Sequence, residues 1–401
     1  MALLFIHGGE KLKVDSDSKQ YTDGSYNAET WARYLGCTED LRVMFRVDRD
    51  TFSPEEARQK FEPFPLNPSS FRALPNVEES LRSFLGIRTR AVRRRAITEE
   101  VKNSEAVIVR LPGAAGTIAA KAARKLGKPY LVEAVGCPWD SLWNHGWRGK
   151  LLAPFATLAM RRVCRNAPFV IYVTSRFLQR RYPTTGQSIS CSDVVITPGT
   201  EERLTERLAA IDRLGGRARF TLGTACAVDV PYKGHATVIR ALSILKSLSP
   251  NTEYRYKLAG NGDASRLGTI AENNGVLSSV EFLGPLGKDA MKTFYDDLDL
   301  YVQPSHQEGL SRAVIEAMSR ACPVAATPVG GNPELIADKF LFGKRSAEDL
   351  AQLIAGLSLE TLRSMAQSNF HRSQQYTDEI LAPRRARFME TFWNSRRQAH
   401  Q

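Results

Sequence analysis

The sequence predicts an α/β fold in two open, parallel-sheet domains. Short apolar runs alternate with helix-length amphipathic stretches along both halves, the pattern of βαβ units. With 401 residues, 43% of them hydrophobic and 24% charged, the chain can bury two cores. The composition turns polar around Thr197-Pro198-Gly199, which sets a boundary there. The expected units are residues 1–197, residues 198–375 and a tail, 376–401.

In the first half, residues 3–6 read as a strand and residues 8–27 as a polar, glycine-dotted loop. A helix over 28–35 and a strand over 41–47 follow. Residues 48–75 are rich in Pro, Phe and Ser and show no period, so they read as a long excursion. Residues 76–102 are charged and helical. A strand over 106–111 enters Pro112-Gly113-Ala114-Ala115-Gly116-Thr117, then a helix over 118–126 and a strand over 130–135. Gly113 and Gly116 do not match GxGxxG and read as a tight strand-to-helix turn. Residues 169–173 and 194–196 complete this sheet.

The loop 136–146 stands at the C-terminal end of a strand, where open α/β sheets bind ligands. It carries Trp139, Asp140, Trp143, Asn144 and His145. Indole rings can cover a sugar face, and Asp140 or His145 can fix hydroxyls or phosphate oxygens. The competing reading is a packed loop with a satisfied histidine. Residues 151–164 form an apolar helix edged by Arg161, Arg162 and Arg165; it is too short to span a bilayer and reads as a core helix or a surface-docked one.

The second half opens with a helix over 201–214 and a strand over 220–223, ending at Gly223-Thr224. Lys233-Gly234 precedes a helix over 235–248. A strand over 256–259 ends in Gly260-Asn261-Gly262-Asp263, and one over 280–283 in Gly284-Pro285-Leu286. A helix over 288–298 leads to the strand 300–302 and the loop Pro304-Ser305-His306-Gln307-Glu308-Gly309. Residues 311–320 form a helix, 323–326 a buried strand, and 328–331 a turn; helices follow from 347. At the loop-to-helix junction, the amides of Gly309, Leu310, Ser311 and Arg312 favour an anion such as a diphosphate, helped by the helix dipole. Glu308 and Glu316 can accept hydrogen bonds from flanking sugar and ribose hydroxyls. By spacing alone, such a pair of glutamates is more often two solvated charges.

The chain carries a net charge of +12, of which +10 lies in residues 1–197 and +2 in the tail. Clusters occur at Arg82, Arg88, Arg90 and Arg93–Arg95, at Arg161, Arg162 and Arg165, and at Arg180 and Arg181. Such a field suits an anionic membrane or a phosphorylated acceptor, and electrostatically also nucleic acid, although no RNP, KH or zinc motif supports the last. Six cysteines in no paired spacing fit a reducing compartment. The N-terminal MALLFIHGGE reads as a core strand, not a signal peptide. The expected location is therefore cytoplasmic, with peripheral contact at the inner face of the membrane. Asp297-Leu298-Asp299 forms a D-x-D, but at a helix end it reads as helix termination, and no metal site is expected.

Pro-Ser, Glu-Gly-Leu-Ser, Glu-Ala-Met, Cys-Pro-Val and Gly-Gly-Asn-Pro-Glu occur in one order between residues 301 and 336. This resembles the donor-site signature of retaining glycosyltransferase family 4, with Glu308 and Glu316 matching its two glutamates. The text over 130–150 is similar to the corresponding region of capsule and O-antigen transferases. The resemblance implies the GT-B fold: two Rossmann-like domains facing across a cleft, with a last helix crossing back to the first. It implies transfer of a hexose-type sugar from a nucleotide-sugar, UDP favoured, to a glycan or lipid-linked acceptor, without a cofactor. It implies catalytic roles for Glu308, Lys233 and His145. The implied donor contacts are Gly223, Thr224, Gly260, Asn261, Leu286, Gly309, Leu310, Ser311 and Glu316, and Trp139, Asp140 and Asn144 face the acceptor. The family's arginine just after the strand glycine is absent here, replaced by Thr224-Ala225-Cys226-Ala227, and Arg312 is one candidate for its charge. A sugar-nucleotide epimerase of the same fold is the alternative enzyme.

Overall fold

Apolar strands buried on both faces build two separate sheets. The computed structural model describes residues 2–22, 26–75, 87–216 and 219–397. In the first sheet, β1 (Leu3–Asp15), β3 (Leu41–Phe52), β5 (Phe71–Ala73), β6 (Ala106–Leu111), β7 (Tyr130–Ala134), β8 (Phe169–Tyr172) and β9 (Gln187–Ser190) run parallel in the order β5-β3-β1-β6-β7-β8-β9. Two short strands, β2 (Gln20–Thr22) and β4 (Glu62–Pro63), add antiparallel pairing beyond β1. The second sheet is all parallel, ordered β12 (Val280–Gly284), β11 (Glu253–Ala259), β10 (Arg219–Ala225), β13 (Leu300–Gln303), β14 (Val324–Ala326). Apolar runs such as residues 106–109 of β6 are what such doubly covered strands require.

The order reverses direction once in each sheet, between β1 and β6 and between β10 and β13. Loops leaving the C-terminal ends of these strand pairs diverge and leave a crevice, the place where open α/β sheets hold ligands. This topology, two doubly wound domains with a cleft between them, is the GT-B architecture that the resemblance implied. The expected boundary at 197/198 falls between β9 and β10.

Three local expectations fail. The strand expected to end at Ile6 runs to Asp15, because a register shift between Ile6 and Lys11 lets Gly8-Gly9 pass while the ladder to β3 resumes. Its end is fixed by Asp15, which accepts from Tyr21 Oη at 2.9 Å and from the Lys19 amide at 2.8 Å. The stretch 48–75 is not a loop. It contains the end of β3, the helix Pro54–Lys60, β4 and β5. Its helix start was legible: Ser53 accepts from the Glu56 amide at 3.1 Å, with Pro54 in the first turn, a standard N-terminal signature. The last strand is Gln187–Ser190, not 194–196, where Ile196 forms only an isolated bridge to Thr377. The charged helix is described from Ile87 to Lys102, and Arg82 lies outside the described residues.

The final helix, Asp378–Ser395, returns to the first domain. Phe388 and Phe392 meet the edge of the Phe169 ring on β8 at 5.7 and 5.6 Å, and Arg385 Nη2 donates to the Ser192 carbonyl at 2.7 Å. Phe392 is fully buried. Its replacement by Ala should lower stability by about 3–5 kcal/mol, the usual result of a large core truncation. Urea titration followed by circular dichroism checks this, and a loss below about 1 kcal/mol would mean the helix does not staple the domain.

Candidate functional site

The loops after β10 and β13 meet at the point where the second sheet reverses. Lys233 ends the short turn Pro231–Lys233, and Gly234 follows it at φ 80°, a conformation that favours glycine. A side chain at 234 would strike the Pro304 carbonyl, its Cβ only 2.0 Å away, so the two loops touch through this glycine. The contact brings Lys233 Nζ to 2.8 Å from Glu308 Oε1. Gln303 Nε2 reaches the same oxygen at 3.2 Å, and Tyr301 Oη donates to Gln303 Oε1 at 2.7 Å. Burial alone would lower the Lys233 ammonium, but the adjacent Glu308 carboxylate outweighs it and holds the pKa above the ordinary lysine range.

Ser311 caps the helix Arg312–Ser319 and makes no side-chain hydrogen bond to its first turn. The turn Val329-Gly330-Gly331 supports this loop from behind. The Gly331 amide donates to the Gly309 carbonyl at 2.7 Å, and Gly330 sits at φ 57° with no room for a Cβ against the Glu308 carbonyl. Tyr295 Oη donates to Glu316 Oε2 at 2.9 Å and orients that carboxylate, a partner not named from the sequence.

A cleft of about 800 Å³ separates the domains. On the second-domain side it is lined by Leu286, Lys288, Lys292, Tyr295, Glu308, Gly309, Leu310, Arg312, Glu316 and Arg320. The first-domain side presents Tyr26, Arg33, Arg110, Val135, Val173 and Asp193. Arg110 binds Glu133 at 3.0 Å and also pairs with Asp193, and Tyr34 Oη donates to Glu133 at 2.8 Å. Burial would raise the Asp193 carboxyl, but Arg110, with Arg312 from across the cleft and Arg385, holds it well below the usual range.

The domains touch at defined points around this cleft. Glu334 of the Gly-Gly-Asn-Pro-Glu motif accepts from the backbone amides of Ser175, Arg176 and Phe177, the last two at 3.0 and 2.6 Å, and so caps the helix Phe177–Arg181 of the first domain. Asn144 Nδ2 donates to Gln307 Oε1 at 3.0 Å, and Lys288 pairs with Glu29 at 3.2 Å.

The structure brings Leu286, Glu308, Gly309, Leu310 and Glu316 together in the cleft, with Lys233 against Glu308 and Ser311 buried at the helix start. Other expected residues lie elsewhere. Gly223 is buried with no space for a Cβ beside the Leu298 side chain, so it serves sheet packing. Thr224 is fully buried, donating to the Val302 carbonyl at 2.8 Å and accepting from Tyr256 Oη at 2.9 Å. Gly260 and Asn261 turn at the end of β11 under the 226–229 loop, where the Val228 amide donates to the Asn261 carbonyl at 2.9 Å; neither lines the cleft. Trp139 stacks on Trp143 at 5.1 Å, and Asp140 pairs with Arg181 at 3.4 Å; neither lines the cleft. His145 is exposed and lies 5.8 Å from the Tyr232 ring of the second domain. Gly309 also gains a different role: a Cβ there would lie 2.0 Å from the Val135 carbonyl, so this glycine permits the close approach of the two domains.

The D-x-D carboxylates are structural: Asp299 accepts from the Thr221 amide at 2.7 Å, and Asp297 lies 3.7 Å from Lys257. Among the described residues, no group of three or more His, Cys, Asp or Glu is placed to hold a metal ion. Sequence reading also missed His235. It is buried, with Nε2 3.1 Å from the Ala227 carbonyl and Nδ1 3.2 Å from Tyr256 Oη, and it ties the loop before Lys233 to β11.

Residues 226–371 match the family model described as Glycosyl transferases group 1. The second half of the chain therefore carries a glycosyltransferase group 1 domain, and the chain as a whole has the GT-B fold. Protein CapJ of Staphylococcus aureus is 29% identical to this chain over 359 residues, covering 88% of this chain and 85% of CapJ. The D-inositol 3-phosphate glycosyltransferase of Corynebacterium aurimucosum is 28% identical over 243 residues, 54% of this chain and 56% of that protein. In fold, the chain resembles Anabaena HepE in complex with UDP and glucose (TM-score 0.62, 16% identity, 98% of this chain and 100% of HepE). It also resembles WaaG, a glycosyltransferase involved in lipopolysaccharide biosynthesis (TM-score 0.58, 16% identity, 96% and 98%).

Burial lowers His235 to about 4, with Lys233 adding to the shift against a raising effect of the Ala227 carbonyl. The unfolded chain takes up this proton near pH 6.5, while the native state resists it until about pH 4. The neutral ring therefore contributes its full stability above pH 6.5 and loses it as pH falls toward 4. Between pH 7 and about pH 5, His235→Gln should lose about 2 kcal/mol less stability than wild type. Urea titrations at the two pH values measure this, and equal losses would contradict a buried neutral histidine.

Proposed function

We propose that the chain is a retaining glycosyltransferase that moves a hexose-type sugar from a nucleotide-sugar to a glycan or lipid-linked acceptor in surface polysaccharide assembly. The observation that carries this reading is the Lys233–Glu308 pair at 2.8 Å, set where the second sheet reverses and near a helix N-terminus without a side-chain cap. WaaG, a glycosyltransferase involved in lipopolysaccharide biosynthesis, supports the acceptor class, and the HepE complexes with UDP and UDP-glucose support a uridine donor.

In this reading Glu316 binds ribose, oriented by Tyr295, and Leu286 meets the base. The diphosphate sits on the amides from Gly309 to Ser311, with Lys233 and Arg312 supplying positive charge in place of a metal. Glu308 holds the transferred sugar near its reacting carbon. The acceptor hydroxyl oxygen attacks that carbon from the face of the leaving group as the carbon–oxygen bond to the diphosphate breaks. The hydroxyl proton passes to the departing phosphate oxygen. The products are the glycoside, with its anomeric configuration kept, and the nucleoside diphosphate. In the same reading His145, beside Tyr232, meets the acceptor. The enzyme works at the cytoplasmic face of the membrane, where its basic first domain meets anionic lipid.

Glu308→Gln and Lys233→Ala should each slow transfer at least about 100-fold, a size typical of losing one charge-stabilising group. Release of nucleoside diphosphate from a panel of UDP-, GDP- and ADP-sugars, with and without lipid-linked glycan, measures it. Thermal melts of each variant confirm the fold. Near-normal rates in either variant would remove its assigned role. Conversion of the donor to an isomeric sugar-nucleotide without acceptor would favour the epimerase reading instead.

A further inference from the structure

Five of the thirteen exposed large apolar side chains among the described residues fall between positions 143 and 158. Phe155, Trp147 and Leu151 are 73%, 68% and 63% exposed, and Leu158 and Trp143 are 47% and 42% exposed. Single exposed apolar side chains are ordinary, but a contiguous set is not. Trp147, Leu151, Phe155 and Leu158 lie on the helix Gly146–Arg165, and their 4-4-3 spacing places them within an arc of about 80°. The buried face, Gly149, Ala153, Met160, Val163 and Cys164, is spaced around the opposite side. The helix is thus already seated on its own domain, and the apolar stripe is the face turned outward.

The charge on this helix points to the occupant. It contains no acidic residue, and Arg148, Lys150, Arg161, Arg162 and Arg165 are all exposed, none in an ion pair among the described residues. Arg148 lies over the Trp147 ring at 5.3 Å and Lys150 over Trp143 at 5.5 Å, so cations flank the apolar stripe. An aromatic and aliphatic stripe edged by cations matches the boundary between acyl chains and anionic headgroups. A second copy of the chain fits poorly, because it would set five cations against five. We propose that this face docks on a bilayer of anionic phospholipid, with Trp147, Leu151 and Phe155 in the boundary and the arginines on headgroup phosphates.

The docking would also orient the enzyme. The helix begins at His145, whose ring lies 5.8 Å from Tyr232, the neighbour of Lys233. Its apolar first turns therefore lie beside the cleft rim, and docking would bring that rim to the lipid surface. This last step rests on the lipid-linked acceptor proposed above; the docking itself does not.

Co-sedimentation of the full chain with vesicles of phosphatidylglycerol and phosphatidylcholine, mixed about 1:1, tests the idea against phosphatidylcholine alone. Binding to the anionic vesicles should fall at least about tenfold in Trp147→Ser/Phe155→Ser, and also in Arg161→Gln/Arg162→Gln. Melting temperature and stabilisation by nucleoside diphosphates, measured on the same samples, should stay at wild-type values in both variants. Absence of that stabilisation in the wild type would count against the donor site and leave the docking result intact. No binding to anionic vesicles, or binding that Trp147→Ser/Phe155→Ser leaves unchanged, would overturn the proposal. So would a lipid-free dimer that the same variant splits, since the face would then belong to a second copy.

Discussion

The Lys233 ammonium and the Glu308 carboxylate meet at 2.8 Å in a junction that leaves them only 23% and 12% exposed. Bringing two charges out of water costs more than an apolar packing of the same shape, so such a pair adds little to stability by itself. What it does here is join the two loops at the sheet's reversal and keep a cation near the N-terminus of the helix Arg312–Ser319. Gly234 against Pro304, Gln303 against Glu308 and Gly330 behind Glu308 all hold that arrangement. Removing either partner leaves the other charge largely buried and without its counter-charge, with the geometry around it unsupported.

The opposite wall is built on the same logic. Arg110, Glu133, Asp193 and Tyr34 form a connected polar group in the first domain, and its Arg110 and Asp193 face the cleft. Each charge in it has a counter-charge or a hydroxyl partner, which is the condition for tolerating burial. The domains are joined where backbone meets backbone or carboxylate meets amide, at Gly309 with Val135 and at Glu334 with Ser175–Phe177. These contacts fix the distance across the cleft that substrate must fill.

Much of the second domain was legible because its strands, glycine turns and helix starts follow one another closely in sequence. The helix starting at His235, the strand 300–303 and the loop carrying Glu308 fall where local pattern puts them. The packing of Gly223 against Leu298 and the hydrogen bonds of Thr224 to Val302 and Tyr256 were not legible, because a glycine ending a strand serves packing as readily as a ligand and only distant neighbours show which contacts it makes. The stacking of Trp139 on Trp143 and the Asp140–Arg181 pair likewise depend on tertiary neighbours. Arg110 and Asp193 are 83 residues apart, and no local signal links them. The extended β1 was hidden by a glycine pair that a register shift absorbs. The exposed side of the helix Gly146–Arg165 was equally undetermined, since an apolar stripe reads the same whether it faces a core or a lipid.

The most direct measurement is a thermal-shift panel with UDP, GDP, ADP and CDP, each with and without EDTA. A site formed by Lys233, Arg312 and helix amides should give a rise with one nucleoside diphosphate that survives EDTA. Ligand at about 100 times its dissociation constant adds about 2.7 kcal/mol to stability, which is readily seen. A shift abolished by EDTA would mean that a metal, not these residues, holds the diphosphate. No shift with any of the four would contradict the donor site on which the functional reading stands.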